Sequence, residues 1–149
     1  MIYTDMTKKA MKLAYRAHEG QTDREGLPYI FHPYHVAEQM TDEKTVTVAL
    51  LHDVLEDTLY TLDDLKDEGF GDEVCEAVNL VTRVECESYM DYIARLCKND
   101  LARAVKKADL IHNSDLSRRA EITGKDRERL EQYREALDYI QKYENTNNT

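Results

Sequence analysis

The chain has 149 residues, of which 42% are hydrophobic, and it carries a formal net charge of −10. This length and apolar content are typical of one globular domain with one core, and they argue against a disordered chain. The acidity argues against nucleic-acid binding, and the lack of both a ~20-residue apolar span and a signal-peptide-like start predicts a cytoplasmic protein outside membranes.

Helical spacing of apolar residues dominates the chain, and no strand-like alternation persists. Pro33 suits the first turn of the second predicted helix, where a missing N–H costs nothing. The third predicted helix is almost wholly apolar, which predicts that it is central and buried. The predicted helices span residues 6–18, 33–40, 43–57, 62–68, 72–82, 89–98, 99–116 and 125–143.

Several helix starts carry capping signals. Thr61 and Ser88 each stand three residues before an aspartate, as in a capping box, and Asn99 is a suitable cap for the helix that follows it. We therefore predict an all-α fold, a single domain of six to eight helices. Residues 1–144 form this domain, and residues 145–149 are expected to fray.

Ionisable residues end the apolar third helix, where residues 51–57 read LHDVLED. Burying such groups is costly unless something pairs with them. His52 and Asp53 lie about 100° apart on a helix, so both reach one ion only if it lies between their faces. Imidazole with carboxylate suits manganese, iron or zinc. A histidine that stabilises a helix C-terminus beside a solvated acid explains the pair without a metal.

Two further residues strengthen the metal interpretation. His32 directly precedes a helix, and Asp109 interrupts a helix that is otherwise well patterned. Alone, His32 could be a helix-entry residue, and Asp109 could be a partner of Lys106. Together with His52 and Asp53 they give the pattern H…HD…D, which indicates one site for a single divalent metal ion.

Six short stretches carry a resemblance to a known family. They are AHEGQ (17–21), GLPYIFHP (26–33), ALLHDVLEDT (49–58), FG (70–71), VT (81–82) and KADLIHN (107–113). In this order and spacing the chain resembles the HD superfamily, and more closely the hydrolase domain of RelA/SpoT-type guanosine polyphosphate pyrophosphohydrolases, including their small stand-alone forms. The resemblance implies an HD-type helical domain around one metal site. It also implies metal-dependent removal of the 3′-pyrophosphate of guanosine tetra- or pentaphosphate.

The resemblance implies roles for individual residues. The implied metal ligands are His32, His52, Asp53 and Asp109, with manganese as the usual ion. Glu56 and Asp57 match a Glu-Asp pair that positions or deprotonates the attacking water. Arg24 and Asn113 match positions that contact the nucleotide.

Two positions depart from the family pattern, and both concern substrate contacts. Asp23 stands where the family commonly has an arginine against the base, and Leu110 stands where it often has an arginine after the metal aspartate. Asp23 could accept hydrogen bonds from guanine, or it could cap its own loop. Basic residues near Asp109 could neutralise pyrophosphate, or they could simply be solvated: Lys106, Lys107, Arg118 and Arg119.

Two other functions stay open at this point. Asp23 and Leu110 leave room for an HD phosphohydrolase that acts on another nucleotide, either a nucleoside monophosphate or a dinucleotide phosphate. A non-catalytic helical module that senses a nucleotide or binds a partner protein would be expected to have lost Glu56 or a metal ligand, and the sequence keeps them all. The expected partner is a small-molecule nucleotide, and no feature of the sequence indicates an oligomeric state.

Overall fold

The computed structural model describes residues 1–147, which form nine α-helices and one 3-10 turn. The helices are α1 (Asp5–Ala17), α2 (Phe31–Glu38), α3 (Glu43–Leu51), α4 (Val54–Asp57), α5 (Leu62–Asp67), α6 (Asp72–Leu80), α7 (Tyr89–Cys97), α8 (Asp100–Asn113) and α9 (Gly124–Asn147). Within the described residues the only strand-like pairing is an isolated bridge between Thr22 and Pro28. The prediction of an all-α fold is confirmed. Among the described helices, none combines the length and the apolar content that crossing a bilayer requires.

Helix α3 is the centre of the fold, as its apolar sequence predicted. Every residue from Thr45 to Leu51 is buried, and the helix packs against α1, α2, α6 and α8. The hydroxyl group of Thr47 donates a hydrogen bond to the Glu43 carbonyl, so this buried polar group is satisfied. Burial of a leucine such as Leu50 stabilises the fold by about 1.5–3 kcal/mol, which makes α3 a firm base for its C-terminal residues.

The predicted helix over residues 43–57 is wrong at one point, because it is interrupted between α3 and α4. His52 ends α3, and Asp53 adopts φ −103° and ψ 0° before α4 begins. Nδ1 of His52 donates a hydrogen bond of 2.6 Å to the Ala49 carbonyl, which occupies a carbonyl at the helix end. Apolar spacing reports burial and continues through such a break, which local side-chain hydrogen bonds determine.

The predicted caps form at the helix starts. Thr61 and Asp64 make the reciprocal pair of hydrogen bonds of a capping box. The Ser88 hydroxyl accepts the Asp91 N–H, which is one half of such a box, and Asn99 caps α8 through its side-chain oxygen. Helix α2 begins before Pro33, which still lies in the first turn, where N–H groups lack helical partners.

The last two helices differ in length from the prediction. Helix α8 ends at Asn113 instead of continuing to residue 116, and the 3-10 turn Leu116–Arg118 follows it. The Asp115 carboxylate accepts hydrogen bonds from Ser117 and so favours this tighter turn. Helix α9 continues to Asn147, whose side chain donates to a carbonyl one turn earlier, so the helix includes residues 145–147 of the tail that the sequence predicts to fray. The rest of the predicted frayed tail lies outside the described residues.

Candidate metal centre and active site

Three separate segments bring the four predicted metal ligands together. His32 lies in the first turn of α2, His52 and Asp53 lie at the break between α3 and α4, and Asp109 lies in α8. Nε2 of His32 is 2.8 Å from Asp109 Oδ1 and 3.7 Å from Asp53 Oδ2. Nε2 of His52 is 3.1 Å from Asp53 Oδ2 and 3.5 Å from Asp109 Oδ1. Both imidazole rings therefore face both carboxylates.

His52 supplies the observation that tests whether these residues suit a metal. Its Nδ1–H is used by the Ala49 carbonyl, so its Nε2 is the nitrogen that offers a lone pair when the ring is neutral. This buried Nε2 makes no hydrogen bond with any described residue, although two carboxylate oxygens lie close to it. One ligand atom from each of His32, His52 and Asp109 lies within 4.8 Å of the others. Imidazole nitrogens with carboxylate oxygens form a donor set that divalent transition metals accept, so the residues fit such an ion.

Both carboxylates of the centre favour the ionised form. Burial works against ionisation of Asp109, but the Lys106 ammonium, 2.8 Å away, and the neighbouring imidazoles hold the pKa of Asp109 well below its usual range. Burial likewise opposes ionisation of Asp53, and in the protein without a metal the positive charge of protonated His52 outweighs it, which lowers the pKa of Asp53 to about 2. A bound divalent cation would take the place of that proton. The centre therefore presents negative oxygen donors at neutral pH.

Two neutral side chains orient these carboxylates. The Tyr29 hydroxyl donates a hydrogen bond of 2.6 Å to Asp53 Oδ2, and the Asn113 amide donates one of 3.0 Å to Asp109 Oδ1. Partners of this kind fix ligand geometry in metal sites. The sequence analysis did not single out Tyr29, and its signal was its position three residues before His32.

His112 is a second residue that the sequence analysis did not single out. Its Nδ1 lies 2.7 Å from Nδ1 of His32, and its ring stacks between His32 and His35. Burial and the nearby Arg118 charge lower the pKa of His112 to about 3, so its ring is neutral and can accept the His32 Nδ1–H. When the ring is neutral, that tautomer leaves the Nε2 lone pair of His32 available to a metal ion, on the side where Nε2 lies 2.8 Å from Asp109 Oδ1.

Glu56 and Asp57 lie on α4 and line a cavity of about 480 Å³. Glu56 Oε1 accepts the Arg83 N–H at 2.6 Å, and the Gln21 amide donates to the Asp57 carbonyl at 2.8 Å. Burial raises the pKa of both carboxyl groups, and the charge of Asp53 raises it further. A raised pKa makes a carboxylate a stronger base, which suits the role expected for this pair.

A second cavity of about 440 Å³ lies beside His32. Three of the four predicted substrate-binding residues line it: Asp23, Arg24 and Asn113. The exposed ring of Phe31 and the side chains of Arg118 and Arg119 also line it. The cavity therefore combines an aromatic surface, positive charge and one edge of the metal centre.

Two predicted substrate contacts are bonded to protein carboxylates. Lys106 donates to Asp109 and lies 5.3 Å from the centre of the Tyr92 ring, so its ammonium group is engaged by Asp109 and is not free to contact a substrate. This is the pairing that the spacing of Lys106 and Asp109 along α8 allows. Arg24 lines the cavity, but its guanidinium donates to both carboxylate oxygens of Asp126 in the first turn of α9.

The two positions that depart from the family pattern have different surroundings. Oδ1 of Asp23 accepts the N–H groups of Glu25 and Leu27 at 2.8 and 3.0 Å, so this oxygen caps the loop. Gly26 has φ +81°, a conformation that favours glycine in such a turn. Leu110 is 0% exposed, so it belongs to the core and does not reach the cavity, contrary to our expectation that this position concerns the substrate.

The comparisons with known proteins identify the family and the fold. The HD domain family matches residues 10–137. The chain is 37% identical over 116 residues to a guanosine-3′,5′-bis(diphosphate) 3′-pyrophosphohydrolase of Haemophilus influenzae, which covers 68% of the chain and 17% of that protein. It is 36% identical over 121 residues to a probable GTP pyrophosphokinase of Mycobacterium leprae, and this match covers 72% of the chain and 15% of that protein. The chain thus spans only about a sixth of the length of these curated relatives.

A solved structure shares the fold over almost the whole chain. It is a metazoan orthologue of SpoT, described as hydrolysing ppGpp and as playing a role in starvation responses. The two superpose with a TM-score of 0.75 at 25% identity, over 94% of this chain and 87% of the other. Unlike the long bacterial relatives, this neighbour is matched over most of its own length.

Proposed function

Because the chain belongs to the HD domain family, we propose that it is a metal-dependent phosphohydrolase that removes the 3′-pyrophosphate of guanosine tetra- or pentaphosphate. The observation that carries the proposal is the approach of His32, His52, Asp53 and Asp109 around a buried imidazole nitrogen without a hydrogen-bond partner. The names of the relatives supply the nucleotide class.

We propose that these four residues hold one divalent ion and that the ion is manganese. Two imidazole nitrogens and two carboxylates are donors that manganese accepts. When bound, such an ion polarises a phosphoryl oxygen and favours ionisation of water. Tyr29 and Asn113 orient the carboxylates whether or not the ion is bound, because their hydrogen bonds form between protein groups only.

Glu56 is the proposed general base, and Asp57 is proposed to orient the attacking water. The reaction forms a bond between phosphorus and the water oxygen and breaks the bond between phosphorus and the nucleotide 3′ oxygen. Glu56 accepts the proton that water loses, and the 3′ oxygen leaves as a hydroxyl group after protonation. The raised pKa of Glu56 suits both halves of this transfer, because the same carboxyl group must gain and release a proton.

The cavity beside His32 is the proposed nucleotide site. Its volume of about 440 Å³ lies in the range of small-molecule pockets. Phe31 is 59% exposed at this cavity and offers a face on which a base can stack. Asn113 touches both the cavity and Asp109, so it lies where the nucleotide would meet the metal centre.

One observation favours a second candidate, hydrolysis of a different nucleotide by the same centre. The Arg24 guanidinium is bound by Asp126 and the neighbouring position is Asp23, so this loop lacks a free arginine to stack on a base. The alternative substrates are nucleoside monophosphates and dinucleotide phosphates, and the same centre could attack either.

The test is release of phosphate and pyrophosphate by the manganese-loaded protein from a panel of nucleotides. The panel contains guanosine tetra- and pentaphosphate, nucleoside monophosphates and dinucleotide phosphates, with His52→Ala as the matched control. We expect pyrophosphate from the guanosine polyphosphates and no release with His52→Ala. Turnover of another nucleotide alone would establish the second candidate, and no turnover of any member would refute both.

A further inference from the structure

Arg118 and Arg119 are unusual for this chain, in which 30 acidic residues face 20 Lys and Arg. Other partly buried arginines have acidic partners; for example, Arg95 pairs with Glu87 and Arg103 with Asp100. Arg118 and Arg119 are both half-buried. Yet within residues 1–147 no carboxylate oxygen lies within 4 Å of either guanidinium group.

Arg118 and Arg119 belong to the cavity that touches the proposed metal centre. Both line it together with His32 and Asn113. The guanidinium of Arg118 is anchored from behind, since it donates a hydrogen bond of 3.0 Å to the His112 carbonyl near the end of α8. An anchored guanidinium needs little further ordering to bind a ligand, because part of its rotational entropy is already lost.

Their electrostatic surroundings leave this positive charge uncompensated. Burial and the neighbouring Arg119 both lower the pKa of Arg118, while Asp23 and Asp115 act in the opposite direction without forming an ion pair. Two like charges on one cavity wall repel each other and lose hydration, which costs free energy in the empty cavity. An anion with more than one charge would relieve both costs.

We propose that Arg118 and Arg119 bind the 5′-phosphates of the nucleotide, the phosphates that are not cleaved. This assignment rests on the proposed function for the identity of the nucleotide. The scissile 3′ group must lie against the metal centre at His32, so a separate pair of arginines on the wall of the same cavity meets a second phosphate group. Guanidinium forks bind two phosphate oxygens at once, which suits a diphosphate.

The test measures binding without turnover. Titration calorimetry on the manganese-loaded protein compares GDP, which has the 5′-diphosphate and no 3′ group, with guanosine. We expect Arg118→Gln and Arg119→Gln each to raise the Kd of GDP about tenfold and to leave the Kd of guanosine unchanged. Arg127→Gln is the matched control, because Arg127 is an exposed arginine of the first turn of α9 outside the cavity lining.

The outcomes separate this inference from the proposed function. Equal Kd values for GDP and guanosine in the wild-type protein, or equal effects of all three substitutions, would overturn it. If Arg118→Gln lowers the Tm because it also frees the His112 carbonyl, Arg119→Gln decides, since its side chain makes no hydrogen bond to a described residue. Failure to release pyrophosphate from any guanosine polyphosphate would refute the proposed function and leave the GDP comparison intact.

Discussion

The proposed metal centre and the wall of the cavity beside it are neighbours that share His32 and Asn113, yet their side chains are held in different ways. At the centre, each carboxylate has several close partners; Asp109, for example, contacts an imidazole, an ammonium and an amide. At the wall, Arg118 and Arg119 line the cavity, and neither has an acidic partner within 4 Å among residues 1–147. A centre whose carboxylates already have partners keeps its geometry before a ligand arrives, whereas unpaired arginines gain their partners from the ligand.

The largest expected effect comes from removing a carboxylate at the centre. Asp109→Ala should abolish metal binding and turnover, and should lower the free energy of unfolding by about 3–5 kcal/mol, because the partly buried Lys106 ammonium loses its buried partner. Metal content, pyrophosphate release and denaturant unfolding measure these effects. Asp138→Ala, which removes an exposed carboxylate from α9, should change none of them. Full metal content in Asp109→Ala would contradict the assignment.

The next prediction distinguishes a general base from a metal ligand at Glu56. Glu56→Gln should keep the metal and the hydrogen bond from the Arg83 N–H, and should reduce turnover by about 10²-fold or more. Burial raises the pKa of Glu56, so the wild-type rate should fall as the pH drops through a value above that of an ordinary glutamate. This acidic limb should be absent from the residual activity of Glu56→Gln. Loss of metal from this variant would instead make Glu56 a ligand.

The sequence indicated which residues come together at the proposed metal centre better than it indicated the partners of the residues that line the cavity beside His32. His32, His52, Asp53 and Asp109 are residue types that chemistry restricts, and the helical pattern placed them on elements that pack around α3. The break at His52 was missed, because it depends on a hydrogen bond and leaves no trace in the apolar spacing.

The partners of the substrate loop could not be predicted in the same way. Arg24 and Asp126 are 102 residues apart, and their pairing depends on where the chain places the start of α9. His112 gave no periodic signal of its role, since its contact with His32 depends on the packing of α2 against α8. The tertiary structure shows which distant residues contact each other, and a single sequence does not contain this information.

A smaller effect is expected from the Arg24–Asp126 ion pair, which joins the loop containing Arg24 to α9. Asp126→Asn should lower the Tm at neutral pH, because Arg24 and the Thr123 N–H hold the pKa of Asp126 below its usual range. A depressed pKa stabilises the fold above the ordinary aspartate value and loses this effect as the pH falls toward the depressed one. The Tm difference from wild type should therefore shrink with acidification. The control is Glu131→Gln, which removes an exposed ion pair on the same helix and should have nearly the wild-type Tm at every pH. If the Tm of Asp126→Asn lay below that of wild type by the same amount at every pH, the result would contradict the pairing.

The smallest effect concerns Asp23, which lines the cavity and whose carboxylate also accepts hydrogen bonds within its own loop. Oδ1 is occupied by the Glu25 and Leu27 N–H groups, while Oδ2 makes no hydrogen bond to a described residue. A single free oxygen can accept one N–H of guanine, whereas two free oxygens could accept both adjacent donors, so the preference it supplies is limited to about tenfold.

Asp23→Asn tests the contribution of Oδ2 alone. The asparagine carbonyl can replace Oδ1 in the loop, so the Tm should stay unchanged, while the amide NH₂ takes the place of Oδ2 and opposes the guanine donors. We expect the ratio of guanine to adenine nucleotide turnover to fall by up to about tenfold, measured with the same phosphates on both bases. An unchanged ratio with an unchanged Tm would mean that Asp23 acts only within the loop. The base would then be recognised by stacking alone, and Phe31, the exposed ring at the cavity, would be the residue to substitute next.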